Sequence, residues 1–144
     1  MPRRVTDPFA SFNFLVEIDG IVKAGFSEVT GLNTETNVID YREGNDSLSV
    51  RKLPGLSKFG NVTLKRGVSK DMDLFNWRKT VTDGDIKRVP TMSIVLRNEK
   101  GDEAVRWNLV NAWPSKYTAP DLKANANEVA IESLELTHEG LERQ

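Results

Sequence analysis

His138 is the only histidine in a chain of 144 residues that has no cysteine. Those two facts dispose of most site chemistry. His138-Glu139 begins like the zinc motif HExxH, which needs a second histidine one helical turn on; with one histidine it cannot be completed. Thiolate nucleophiles, disulfides and thiolate metal sites are excluded, so a transition-metal site would need carboxylates alone. A Ser-His-Asp relay would have to use His138 at the end of a strand, where a solvated or hydrogen-bonded ring is expected. Asp71 and Asp73 lie two apart at a helix start, on different faces, and read as helix-terminus acids. Glu132 and Glu135 could pair as glycosidase carboxylates on paper, but they read as a solvated strand face. Lys65-Arg66 and Lys87-Arg88 flank Phe75 and Trp77, a mixture that suits base stacking. However, Lys+Arg 20 against Asp+Glu 21 leaves a net charge of -1, which gives no field toward nucleic acid or anionic lipid. No GxxxxGK[ST] or GxGxxG is present. The expectation is no catalytic residue, no cofactor, no metal and no specific nucleic-acid binding.

The elements that would carry these residues centre on residues 60–84, GNVTLKRGVSKDMDLFNWRKTVTDG. Val62, Leu64 and Arg66 share one face of a strand, with Asn61, Thr63 and Lys65 on the other. The period then changes. Ser69 can cap a helix, Asp71 and Asp73 suit its first turn, and Asp83-Gly84 stops it. Its apolar stripe is Leu74, Trp77 and Val81, the expected core face of a single flanking helix over about 70–82.

The rest reads as β-structure. Residues 12–19 alternate and end at Asp19-Gly20, a hairpin signal; residues 21–32 return as a strand interrupted by Gly25. A polar strand at 34–42 follows, expected at an edge or partly solvated. Residues 88–98 and 103–113 make a long hairpin around 98–102. Pro114 and Pro120 are expected to bracket a rigid loop, and 121–127 a short turn. In the last strand, 128–138, Val129 and Ile131 share one parity while Leu134 and Leu136 share the other. Either a bulge near Glu132-Ser133 flips the strand, or both faces are covered. Trp77, Trp107 and Trp113 read as core or interface.

Hydrophobic content of 38% and charged content of 28% are ordinary for a globular domain. No apolar run reaches the ~18 residues that a membrane helix needs, and the N-terminal MPRRVTDPFASF lacks a signal-peptide h-region. A single domain over 1–144 is expected, carrying an extended arm at about 43–60. In that arm Pro54-Gly55 reads as a turn, while Leu48, Val50, Leu53 and Leu56 are apolar without a firm period or an obvious place in a core. Apolar residues also fall on both parities of several strands, as at Leu15 beside Val16 and at Val95 between Ile94 and Leu96. A monomeric sandwich needs one apolar face, so the second implies burial against a neighbour.

The segments DPFASFNFLVEIDG, AGFSEVTGL, YREGN, LPGLSKFGNVTLKRGV, LFNWR, WNLVNAWPSKY and NEVAIESLELTHEGL, in that order over residues 7–142, resemble the inner tube protein of contractile phage tails and of phage-like extracellular contractile injection systems. The resemblance implies a mainly β fold, two antiparallel sheets packed across each other (a tail-tube-like sandwich or barrel) with one flanking helix. It implies hexameric rings stacked into a hollow tube that a contracting sheath drives through a target envelope. Implied partners are the chain itself, the sheath protein, baseplate and tube-terminator proteins, and luminal protein cargo past a polar channel wall. Implied too is cytoplasmic synthesis without a signal peptide, followed by assembly into an extracellular particle or virion tail. In that setting the arm would reach an adjacent ring and bury Leu48, Val50, Leu53 and Leu56. A baseplate tube-initiator paralogue forming one ring fits the same residues, and a small β-barrel binding module is the alternative from another class.

Overall fold

A computed structural model describes every residue except 1–9, 11, 12, 20, 24, 43, 45–49, 86–88 and 126. Its strands are β1 (Phe14–Ile18), β2 (Ile21–Lys23), β3 (Phe26–Thr30), β4 (Thr34–Tyr41), β5 (Arg51–Phe59), β6 (Val62–Gly67), β7 (Val89–Arg97), β8 (Glu103–Thr118), β9 (Ile131–Thr137) and β10 (Gly140–Arg143), with one helix, α1 (Asp73–Thr82). Strand pairing runs β2-β1-β7-β8-β9-β6-β3, with β10 also on β8, while β4 and β5 form a separate antiparallel pair.

The long strand β8 makes two sheets out of this path. Its residues up to Ala112 pair with β7, and those from Trp113 onward pair with β9. The corner lies at Asn111, which sits at φ +52, a conformation asparagine tolerates better than most side chains. Opposite it, β9 gives way to β10 across His138 and Glu139, and Asn111 Nδ2 donates to Glu139 Oε2 at 2.9 Å. A strand pair that changes sheet at a bend is one way to fold two sheets across each other. Val16, Val62, Leu64, Leu74, Met92, Ile94, Leu109, Leu134 and Leu136 fill the space between them.

Local chemistry explains most element limits and corrects several expectations. Residues 21–32 form two strands, not one: Gly25 at φ +88 turns the chain so that β2 pairs with β1 and β3 with β6. The helix starts three residues later than 70. Ser69 Oγ accepts the Asp71 N–H at 3.2 Å, so it closes a turn outside the helix, and Asp71 Oδ1 takes the Asp73 N–H at 3.1 Å. Pro54-Gly55 lies inside β5, with Pro54 opposite Val38 beside a register shift. Pro114 lies inside β8 in the same way, next to the shift between Pro114 and Lys116. A proline is tolerated at such irregularities because no ladder donor is needed there. Residues 115–118 are therefore strand, where a loop was expected.

The parity slip in the last strand has a cause other than a bulge near Glu132-Ser133. β9 alternates regularly, and its inward positions are Glu132, Leu134 and Leu136. Val129 precedes the strand and is exposed. A buried carboxylate occupies the site where an apolar residue was sought.

Candidate functional site

Two places stand out once the core is accounted for, and only one of them faces solvent. The inward one is built on Arg66, which alternation puts on the same face of β6 as Val62 and Leu64. Its guanidinium is buried. Nε donates to Glu132 Oε1 at 2.8 Å, Nη2 donates to Asp73 Oδ1, and the group lies 5.7 Å from the centre of the Phe26 ring. Tyr117 completes the cluster by donating its O–H to Glu132 Oε2 at 2.6 Å. That hydrogen bond, more than burial, pushes the phenol up to about 12. Burial works against the Asp73 carboxylate, yet the hydrogen bond and charge of Arg66 outweigh it and hold the group below its ordinary value. Asp73 therefore contributes stability at neutral pH that fades as the pH falls through its folded value. The cluster ties the first turn of α1 to β6 and β9. Its charges reach two further partners, Lys23 at 3.8 Å from Asp73 and Asp71 at 3.8 Å from Arg66, and among the described residues no group of His, Cys, Asp and Glu is placed to hold a metal.

The helix stripe sits where it can pack on this body. Leu74 is fully buried in the core, Trp77 packs against it, and Val81 is half-buried. Phe75 projects to meet Tyr117 edge-on, ring centres 5.4 Å apart. Val95 is buried within the chain, beside its cross-strand neighbours Leu15 and Arg106, and Arg106 is held by Glu17 at 2.7 Å. These second-face apolar residues thus carry less unburied surface than their parity suggested.

Much of the unburied apolar surface is on the β4–β5 hairpin, with Leu122 and Val129 exposed elsewhere. Every residue of β4 is exposed, as are most of β5. Val38 is 66% exposed and Leu56 81%; Ile39, Tyr41, Val50 and Leu53 are also open. Ile39 lies opposite Leu53, whereas Val38 lies opposite Pro54 on the other face, so both faces of the ribbon are apolar. Exposed ion pairs Lys52–Asp40 and Lys58–Glu35 interleave with them. Leu48 lies outside the described residues. A two-stranded ribbon with no third strand is at best marginally stable in water, and among the described residues this one joins no other strand.

Its root is tightly built. Gly31, at φ +93, has no room for a side chain: a Cβ there would lie 2.1 Å from the Asn61 carbonyl oxygen. Across from it Gly60 donates its N–H to the Asn33 carbonyl at 3.2 Å, and a Cβ on Gly60 would strike the Asn33 amide. Only glycine permits the approach at Gly31, where backbone and a positive φ both exclude a side chain; at Gly60 the Asn33 side chain could move aside. Among the described residues the sandwich also leaves its outer strands, β2 and β3, unpaired on one side.

This arrangement has known counterparts. The profile of the T4-like virus tail tube protein gp19 family matches residues 10–142. A chain of the PVC sheath-tube complex of an extracellular contractile injection system, in its extended state, superposes with a TM-score of 0.88 at 28% identity, over 97% of this chain and 93% of that one. A chain of the anti-feeding prophage baseplate gives 0.86 at 26% identity, over 97% of each. Hcp1 from Flavobacterium johnsoniae shares the fold, with a TM-score of 0.56 at 13% identity over 92% of this chain and 94% of that one. No curated protein sequence matches. The chain therefore belongs to the T4-like virus tail tube family and is a structural tube subunit of the contractile injection system type.

Proposed function

We propose that six copies of this chain close into a ring through the open strands β2 and β3, and that rings stack coaxially through the β4–β5 hairpin into a hollow tube. The observation that carries this reading is the hairpin itself. It is apolar on both faces and, among the described residues, pairs with no other strand, so its own stability calls for a covering surface. Each leucine buried there contributes ~1.5–3 kcal/mol, and a ring supplies six such contacts at once, which makes stacking cooperative. Pairing the edges of neighbouring subunits also removes backbone groups that otherwise invite aggregation.

The chain then acts without catalysis, as the stiff element that a contracting sheath pushes. Sheath, baseplate and tube-terminator proteins are its partners in an extracellular particle, and the channel admits protein cargo. A test replaces Val38, Leu53 and Leu56 together with serine and views the purified protein in negative stain. Wild type gives stacked hollow rods; the triple variant, folded by circular dichroism, gives single rings or free subunits. Rods of normal length from the variant refute the stacking role. Single rings from the wild type itself point to a baseplate initiator rather than a tube polymer.

A further inference from the structure

The β4–β5 hairpin leaves the body at one end of β6, and a second exposed apolar patch lies at the other. β6 runs from Val62, beside the hairpin root, to Gly67, and β9 lies antiparallel to it from Ile131 to Leu136. At ~3.3 Å per residue the two ends are roughly 20 Å apart. Beyond Gly67 the Val68 N–H donates to the Ala130 carbonyl at 3.0 Å, which sets the β6–α1 connection beside the segment leading into β9. There Val129 is 78% exposed and Leu122 85%, and both line an open cleft of about 600 Å³. Val68 and Met72, on the adjoining connection, are exposed as well. Asp121, Lys123 and Glu128 share the lining of the cleft. Large apolar side chains set among charged ones mark a contact surface.

We propose that this patch receives the β4–β5 hairpin of a second copy of the chain, in the adjacent ring. The inference rests on the reading that the hairpin makes the ring-to-ring contact, and it names the surface that the hairpin meets. Symmetry selects the occupant. A hairpin that met another hairpin would join two rings and leave nothing to carry the stack further. A stack that grows needs two different surfaces at opposite ends of each subunit, a heterologous contact repeated along an axis. The hairpin supplies one. Leu122 and Val129, the most exposed large apolar side chains outside the hairpin among the described residues, supply the other. The chemistry matches as well. Lys52 and Lys58 on the hairpin are paired with Asp40 and Glu35 within the ribbon. What it offers a partner is therefore Val38, Leu53 and Leu56, which gain most from an apolar acceptor.

The chain has no cysteine, so introduced thiols report contacts without background. Rods of a variant carrying Leu56→Cys and Val129→Cys, treated with a short bis-maleimide, are expected to give a ladder on a denaturing gel that extends past the hexamer. Each subunit is then linked to the next along the stack. Rods of either single cysteine variant are expected to stay monomeric on the gel. No ladder, a ladder that ends at the hexamer, or dimers from Leu56→Cys alone overturn the proposal. A second variant, Leu122→Ser with Val129→Ser, removes two side chains that are exposed in the subunit, so its circular dichroism is expected to match wild type. Its critical concentration for rod growth is expected to rise about a hundredfold or more. Rods growing at the wild-type concentration overturn the proposal, and if those rods no longer bind the sheath protein, the patch belongs to the sheath instead. Loss of rods in the Val38, Leu53, Leu56 triple variant beside normal rods in this one would defeat the patch assignment alone. Normal rods from the triple variant would defeat the stacking role of the hairpin itself.

Discussion

Arg66–Glu132 and Lys52–Asp40 are ion pairs of similar length, 2.8 and 2.6 Å, in opposite surroundings. The first has side chains 6% and 6% exposed, the second 65% and 64%. Distance alone would rank them equal. Solvent decides otherwise: water and salt screen the exposed pair and leave it worth little, while in the interior each charge depends on its partner because nothing else can replace the lost hydration. The contrast separates two kinds of construction in one chain. The sandwich pairs its buried side-chain polar groups, Arg97 Nε excepted among the described residues, and closes around its own core, whereas the hairpin pairs its charges at the surface and leaves its apolar side chains exposed.

The largest effect expected from breaking that contrast is on the buried side. Arg66→Met strips Glu132 of its cation and should cost about 3–5 kcal/mol of unfolding free energy in urea titration. Adding Glu132→Leu removes the stranded carboxylate and should recover much of the loss. A single variant as stable as wild type would mean that the pair is not desolvated, and the distinction between the two regions would collapse.

Tyr117→Phe tests the same cluster more gently. It removes one hydrogen bond from a carboxylate that keeps Arg66, so a loss of about 1 kcal/mol is expected at neutral pH. The phenol is held up to about 12 by Glu132 and burial. A raised value means that its contribution is whole below the ordinary tyrosine range of about 10 and disappears as the pH climbs toward the folded value. Wild type should therefore lose stability over that alkaline interval, and the phenylalanine variant should show a shallower decline there. Equal slopes for the two proteins would remove Glu132 from the tyrosine's surroundings.

What was readable in the residues follows from the range of the forces involved. Alternation reports which side of a strand faces in, so β6, β7 and the first part of β8 were legible, as were the stop of α1 at Asp83-Gly84 and a mostly β chain with one helix; the two packed sheets were implied only by the family resemblance. Alternation even put Arg66 inward with Val62 and Leu64. It could not supply the partner, because Glu132 is brought opposite by the pairing of β6 with β9, far along the chain. The same gap misassigned Glu132 to a solvated face and turned its inward position into an apparent slip. Prolines misled for a related reason: Pro54 and Pro114 are tolerated by register shifts in the strand opposite, which no local pattern records. His138 read as a solvated or hydrogen-bonded strand end. Its two carbonyl partners, one 78 positions away, depend on where the hairpin root lands.

The smallest expected effect lies on the hairpin, and it is informative because it is small. Lys52→Ala removes a 2.6 Å ion pair that joins β4 to β5. Both ends are solvated, the register beside it is also held by Ile39 opposite Leu53, and the Asp40 side chain regains freedom when the pair is lost. The change in unfolding free energy should stay within about 0.5 kcal/mol, measured on subunits too dilute to assemble. A loss of about 2 kcal/mol or more would exceed what an exposed pair contributes. It would mean that the ribbon lies against the body of its own subunit in solution, with its apolar faces already covered. Ring-to-ring burial would then have little left to gain, and the division between a self-contained sandwich and an incomplete hairpin would be wrong at its weaker end.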